Sequence, residues 1–544
     1  MNKQVFFFLK HKNVLEFVFF FSLSIIGFFL YNDYGVSLDE DAYKYNGLTD
    51  YNFLKNIIFN FNSISFEEIY KNYIIESAKI SSLFYLLVFF IKDFINFVFH
   101  IEVEIRTISH ILLYLFFVLG NFCFFRIIQH RFKNTVFSYL AVLILVTSPR
   151  IFSESFYNNR DIFFLSISLI NLFCFYKLIN NFNFKNIFLY SFLIAISINL
   201  RLFGFVFFIL SFLLFILEFE NKITIKELYI KLFSFLLITS IIFILLTPYL
   251  WIDSYKNFLN FYFYDATKTT NIRVSNLFLG EFYSSQFSPI SYYFFWILFT
   301  TPLVIFILSF IGFIKKLISY LIKLFYLETN KNLWTNKDEL FDFFIFLNFF
   351  LIFFIMSRFS EVKYDGWRHI YFLYPLLIIN LFYILDFLRS KKINIYKLLI
   401  LIIIIEFFYN INWIYKNHPY QYVYFNYLNK IFSKKKFDLD YWGISNYQIY
   451  KYLLKNDQSQ KITLGTISFN DLSDNFNILK ADEKIRIVLT SKEDLPNYLI
   501  DNFRVGYKKL KFSEGVKKNI LKDYKLLFQI VIDDNIVSSI YKRK

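Results

Sequence analysis

Long apolar stretches, each close to the length of a bilayer crossing, alternate with short polar joints along most of this chain. A hydrocarbon core of about 30 Å takes roughly 20 helical residues. Stretches of about that size fall at 14–31, 105–126, 134–149, 161–179, 186–200, 203–219, 231–249, 291–314, 341–357, 370–388 and 396–413. The pattern predicts a polytopic α-helical membrane protein with about eleven transmembrane helices. Residues 80–99 are apolar enough to be a further crossing, but Lys92 and Asp93 would then lie near mid-bilayer, at roughly 2.5–3.5 kcal/mol each on an insertion scale. Ser81, Tyr85, Lys92 and Asn96 fall near one helical face, which predicts a helix lying in the membrane interface.

Basic residues recur at every alternate boundary: Lys3, Lys10 and Lys12, then Arg126, Arg131 and Lys133, then Lys222, Lys226 and Lys231, then Lys315, Lys316 and Lys323, then Arg389, Lys391 and Lys392. The positive-inside tendency makes these ends cytoplasmic, which puts the amino terminus inside and everything after Asn412 outside. Beyond 413 the Phe runs thin out and charge rises. Lys461–Phe469 and Ile485–Leu489 read as strands, Tyr447–Leu454 as a helix, and Leu526–Ile532 with Ile536–Lys542 as a hairpin across Asp533-Asp534-Asn535. The expected organisation is a transmembrane domain over 1–413 and a small extracytoplasmic α/β domain over 414–544. The first outer loop, about 32–104, would carry interfacial helices, and the loops at 249–290 and 315–340 are long enough for short surface helices.

Composition agrees with the pattern, since 57% hydrophobic residues in a chain of 544 exceeds what one water-soluble core can hold. The formal charge of +16 sits in clusters between the apolar stretches and forms no basic stripe with a nucleic-acid-binding fold, so it reads as topology and argues against a nucleic-acid partner. Cys123 and Cys174 lie inside apolar stretches, without disulfide or metal-type spacing. His11, His100, His110, His130, His369 and His418 are scattered without ligand spacing. No cofactor and no metal are expected, although Asp39-Glu40-Asp41 also fits an Asp-x-Asp pattern that holds divalent ions elsewhere.

The chemistry concentrates where stretches end. Ser37-Leu38-Asp39-Glu40-Asp41 follows the first crossing directly. Ser37 and Glu40 have the spacing of a helix capping box, a structural account of the acids. The functional account is that a carboxylate at the membrane rim can take a proton from an acceptor group while a lipid phosphate departs from the other face of a sugar. Departure needs positive charge in a poorly hydrated place. Arg106, Arg160, Arg201 and the pair Arg368-His369 lie at outer ends of crossings, against the positive-inside bias. Each arginine could instead snorkel to headgroups or pair with an acid such as Asp161. Tyr364-Asp365-Gly366-Trp367-Arg368-His369 gathers an acid, an arginine and an imidazole beyond what an aromatic belt explains, and the string from His418 to Asn426 is either an interfacial anchor or a wall of the site.

Ser37-Leu38-Asp39-Glu40, Asn159-Arg160-Asp161, Leu200-Arg201-Leu202-Phe203-Gly204, Thr300-Thr301-Pro302, Tyr364 to His369 and Asp440-Tyr441-Trp442-Gly443 together resemble bacterial membrane glycosyltransferases of the GT-C class. The closer likeness is to the branch related to dolichyl-phosphate-mannose protein mannosyltransferases and lipid A aminoarabinose transferases. The resemblance implies inverting transfer of a sugar from a polyprenyl phosphate to an envelope acceptor, a glycan, lipid or protein. It implies Asp39 as general base with Glu40 supporting it, and Arg201, Arg368 and His369 at the donor phosphate. Asp41, Arg160, Asp161 and Asp365 would complete the cleft, with Arg160 standing where relatives carry Lys. The implied place is the bacterial inner membrane, among its lipids. A multi-span transporter or lipid flippase is the alternative, although 12 Gly and 7 Pro are few for paired broken helices. A diphosphate-dependent glycan polymerase and a noncatalytic scaffold are further rivals.

Overall fold

The computed structural model describes residues 12–60, 66–76, 81–220, 222–260, 274–326, 333–360, 362–432, 437–505 and 520–544. Lys3, Lys10 and parts of the loops around 261–273 and 327–332 lie outside the described residues.

The first half is a run of helices: α1 Lys12–Leu30, α2 Glu40–Asn60, α3 Phe66–Glu76, α4 Leu83–Phe99, α5 Ile105–Phe132, α6 Thr135–Val146, α7 Pro149–Tyr157, α8 Asp161–Asn180, α9 Phe184–Leu200, α10 Phe203–Phe219 and α11 Ile225–Leu245. A hairpin of β1 Ser275–Phe278 and β2 Glu281–Ser284 follows, then α12 Tyr292–Thr300, α13 Leu303–Phe325, α14 Lys337–Arg358, α15 Tyr374–Ser390 and α16 Ile395–Lys416. Among the described residues eight helices are long and apolar enough to cross a membrane, counting the tight turn Arg368–Leu373 with α15, and α9 and α10 are shorter apolar helices. Phe29, Phe233, Leu245, Phe325, Ile405 and Phe408 all lie exposed on these helices. Such a continuous apolar exterior needs lipid rather than water around it.

Two predicted crossings are broken. Pro149 cannot donate to the helical ladder, and α6 and α7 meet at 67° across Thr147-Ser148. Pro302 likewise splits the stretch read as 291–314 into α12 and α13. The new helix start lies inside the bundle, where the Glu406 carboxylate on α16 accepts the amides of Val304 at 3.0 Å and Ile305 at 3.2 Å. A carboxylate there satisfies orphan donors and complements the helix dipole. Packing is close where side chains vanish: a Cβ on Gly312 of α13 would collide with the Asn380 carbonyl of α15.

α4 is a separate helix packed on α2, where Asp93 accepts the Tyr51 hydroxyl and pairs with Lys55 at 3.5 Å. The expected run of surface helix after 315 is instead the continuation of α13 to Phe325.

The C-terminal region carries α17 Ser445–Asn456, β3 Ile462–Thr466, α18 Ser473–Asn477, α19 Ala481–Arg486, β4 Ile487–Leu489, β5 Tyr498–Asp501, β6 Tyr524–Ile532 and β7 Asn535–Arg543. The sheet order is β4-β3-β5-β7-β6, with β3 parallel to both its neighbours and β6-β7 an antiparallel hairpin. Asp533 and Asp534 both take positive φ, 47° and 64°, as a two-residue primed turn requires. The strand expected at Ile485–Leu489 starts two residues later, because α19 runs to Arg486. β5 was not anticipated: all four residues are buried, so no polar alternation marks them. One buried apolar cluster runs from the helices through Trp442 and Ile449 into Leu464 and Ile500 of the sheet.

Candidate active site

Asp39 precedes the first residue of α2, its carbonyl accepting the Tyr43 amide at 3.3 Å. The side chain is 34% exposed and its Oδ2 lies 2.9 Å from Nη2 of Arg368, which is 3% exposed. The same guanidinium reaches Asp161 Oδ2 and Asp365 Oδ2, both at 3.2 Å. Arg201 pairs with the other oxygen of Asp161. Four predicted positions from distant parts of the chain, Asp39, Asp161, Arg201 and Arg368, therefore meet in one ion network, and Asp365 joins them.

Local folding explains each position. Arg201 ends α9 in extended backbone and Asp161 opens α8. Arg368 sits on the tight turn leading into α15, after Asp365 and Gly366, which take φ of 55° and 71°. A non-glycine residue in that region is strained, and here the turn is over-determined: the Gly366 amide donates to Tyr292 Oη at 3.1 Å and Trp367 Nε1 to Thr300 Oγ1 at 2.7 Å. Trp442 lies 4.8 Å from the Arg368 guanidinium carbon and Tyr364 5.4 Å, cation–π contacts that also shield it from water.

Above these buried ions lies a half-buried rim of Asp39, Tyr43, Arg160, Arg201, Tyr364 and His369. Arg160 makes no ion pair among the described residues; its Nη1 donates to Tyr43 Oη at 3.2 Å and its guanidinium lies 5.4 Å from that ring. Arg160 Nε, Arg201 Nε, Arg368 Nε and His369 Nδ1 are buried without a hydrogen-bond partner among the described residues. Burial pushes Tyr364 up to about 12, so it stays a neutral donor beside Arg368 and Asp39.

Four positions go elsewhere. Glu40 does not reach back to Ser37 in a capping box: it is 3% exposed, accepts Tyr85 Oη at 2.7 Å and Ser109 Oγ at 3.4 Å, and lies 3.8 Å from His110 Nε2. It anchors α2 to α4 and α5. Asp41 pairs with Lys44 and shares a hydrogen bond with Asp474, and all three line an open cavity of about 470 Å³ that none of the arginines in the ion network lines. Arg106 binds backbone instead, donating to the carbonyls of Asn32 at 3.0 Å and Tyr34. His418 braces the first loop, 2.9 Å from Asp33.

The network also holds residues that sequence reasoning missed. Arg504, next to β5, pairs with Asp365 at 2.6 Å and Asp438 at 2.8 Å. Burial opposes its charge, and the two carboxylates more than offset that, so its pKa lies above the ordinary arginine value. Burial raises Asp438 to about 6, against the pull of Arg504. Glu154 on α7 is fully buried and accepts Tyr371 Oη and Asn158 Nδ2, both at 2.7 Å, and Asn158 also donates to Asp161 at 3.1 Å. An acid soon after Pro149 was a signal for Glu154; nothing local marked Arg504. Among the described residues no group of three or more His, Cys, Asp or Glu is placed to hold a metal.

No family model matches this chain, and no curated protein matches its sequence. Among solved structures, the crystal structure of ArnT from Cupriavidus metallidurans bound to undecaprenyl phosphate is similar over 96% of this chain and 97% of that one, at 10% identity and a TM-score of 0.45. The apo structure of the same protein covers the same shares at 12% identity and the same TM-score of 0.45.

Proposed function

We propose that this chain is an inverting glycosyltransferase that moves a sugar from a polyprenyl-phosphate donor to an envelope acceptor at the outer face of the bacterial inner membrane. One observation carries the reading: an accessible carboxylate, Asp39, is oriented at 2.9 Å by a buried arginine beside a rim of guanidinium groups with donors to spare. A carboxylate and a set of cations a few ångströms apart are what a displacement with a phosphate leaving group requires.

In this mechanism Arg368 takes Oδ2 of Asp39 and leaves Oδ1 to receive the acceptor's proton. The acceptor oxygen or nitrogen forms its bond to the anomeric carbon as the bond from that carbon to the phosphate oxygen breaks. The electron pair leaves with the lipid phosphate, and configuration at the anomeric carbon inverts. Arg160 is the first choice for that phosphate because no carboxylate claims it, and Arg201 with His369 lies beside it. Arg368 mainly orients the base, since three carboxylates already share its guanidinium. Glu40 supports Asp39 by fixing the start of α2 rather than by touching substrate. Asp161 and Asp365 hold the arginines.

Sidedness supports the same reading. Arg131, Lys316 and Asp342 meet at one end of the bundle, where the Arg389 guanidinium also reaches the Phe132 carbonyl at 3.2 Å. The loop leading to Asp39 is tied to the opposite end of α5, where Arg106 holds the Asn32 carbonyl at 3.0 Å. The positive-inside tendency makes the basic end cytoplasmic, so the Asp39 end and residues 414–544 are extracytoplasmic. Mass spectrometry of envelope lipids tests the function: a strain lacking this gene should accumulate the unused lipid-linked sugar and lose one glycan linkage. No accumulation in that strain would overturn the reading.

A further inference from the structure

The loop that carries Asp39 has no regular structure of its own, so other elements must satisfy its buried backbone groups. Arg106 holds the carbonyls of Asn32 and Tyr34, and Gln448 of α17 donates to that of Asp33 at 2.8 Å. Val36 is held by Asn475 of α18, which is 2% exposed. The Asn475 amide accepts the Val36 N–H at 2.9 Å and donates to the Val36 carbonyl at 3.0 Å, the exchange that a neighbouring strand would make. The same Nδ2 donates to the Gly443 carbonyl at 3.2 Å. Gly443 follows Trp442, the ring that lies on Arg368. The approach leaves no space for a side chain at Gly35, where a Cβ would collide with Asn475 Oδ1 and meet the Ile444 carbonyl at 3.0 Å. One buried side-chain amide thus touches both the strand of backbone leading to Asp39 and the string leading to the cover of Arg368.

We infer that Asn475 is a positioning residue for transfer: it holds the Asp39 loop and the Trp442 string in register, so that base and arginine meet. The inference rests on the reading of Asp39 as the base, and it gives the C-terminal region a part in the chemistry without contact to the substrate. An amide suits the task because it supplies an acceptor and donors in one plane. Alanine removes all three bonds; aspartate keeps the acceptor, loses both donations, and regains one of them when its carboxyl is protonated.

The experiment uses the full chain in nanodiscs and in the deletion strain. Asn475→Ala should lower transfer by about 10- to 100-fold, the scale of an ångström-sized misplacement. It should leave binding of the probe polyprenyl phosphate within about twofold, since Arg160 and Arg201 are untouched, and raise hydrogen exchange over residues 31–41. Asn475→Asp, which is nearly isosteric and remains informative if alanine fails to fold, should lose activity at pH 8 and regain it relative to the unaltered protein as pH falls towards 5. A purely structural role would not reproduce that reversal. Full activity in Asp39→Asn would remove the base and with it the premise. An inactive Asp39→Asn alongside fully active Asn475 variants with a flat relative pH profile would overturn this inference and leave the base standing.

Discussion

Two ion networks sit at opposite ends of the bundle, and they are built to different standards. At the basic end Asp342 lies between Arg131 and Lys316, whose side chains are 13% and 1% exposed, and none of the three leaves a buried polar atom unpaired. At the other end Asp161, Asp365 and Arg368 are equally buried, but they lead up to a half-buried rim where Arg160, Arg201 and His369 keep buried nitrogens without hydrogen-bond partners among the described residues. A closed, satisfied network staples helices; an open one with spare donors has what the proposed phosphate contact would need. The contrast separates two uses of the same residue types, which charge and burial alone would not.

Mutations should break the two networks in opposite ways. The largest effect is expected from Asp39→Asn: transfer falls by about 10²- to 10⁴-fold, the usual contribution of a general base, while melting in detergent is unchanged. Retained transfer in that variant would end the comparison. Next, Asp342→Ala leaves two buried cations unpaired, a loss of roughly 3–5 kcal/mol in stability. It should appear as lower yield and melting temperature, with activity per folded molecule preserved. Arg160→Gln should weaken binding of polyprenyl phosphate by about 1.5–3 kcal/mol, the range for a hydrogen bond to a charged group. Isothermal titration would measure it, and the matching change at the basic end, Arg131→Gln, should leave that affinity alone.

The smallest effect concerns pH. Burial, then the hydrogen bond and charge of Asp41, raise Asp474 to about 7, with Asp471 adding to the shift and Lys44 opposing it. A carboxyl whose pKa is higher in the folded protein binds more protons there than when unfolded, so it lowers stability as pH rises from about 4 to about 7. Asp474→Asn should remove that slope. The gain at pH 8 should be at most about 1 kcal/mol, because the group is half-buried and solvent screens it. A melting series from pH 5 to pH 8 decides it.

Much of the framework was legible along the chain. The helices α1, α5, α8, α14 and α16 follow from apolar length alone, and the β6-β7 hairpin follows from Asp533-Asp534 between two strand-like runs. Asp39, Asp161, Arg201 and Arg368 stood out because charged residues at the ends of apolar helices need a reason to be there. The errors were instructive. The capping box read from Ser37 and Glu40 did not form, because the Glu40 carboxylate is taken by the Tyr85 hydroxyl of α4. Thr301-Pro302 had been read within one crossing, yet the break survives because Glu406, far along the chain, caps the new helix.

Hydropathy and span length are local properties, and they were enough to set the membrane class and many of the apolar helices. Which charges meet was decided only by tertiary structure. Arg504 and Asn475 enter the neighbourhood of Asp39 through the docking of the C-terminal region, and their partners Asp365 and Val36 lie more than a hundred residues away in each case. A side chain's partner across such a distance depends on helix packing and loop closure, which no short window of residues contains.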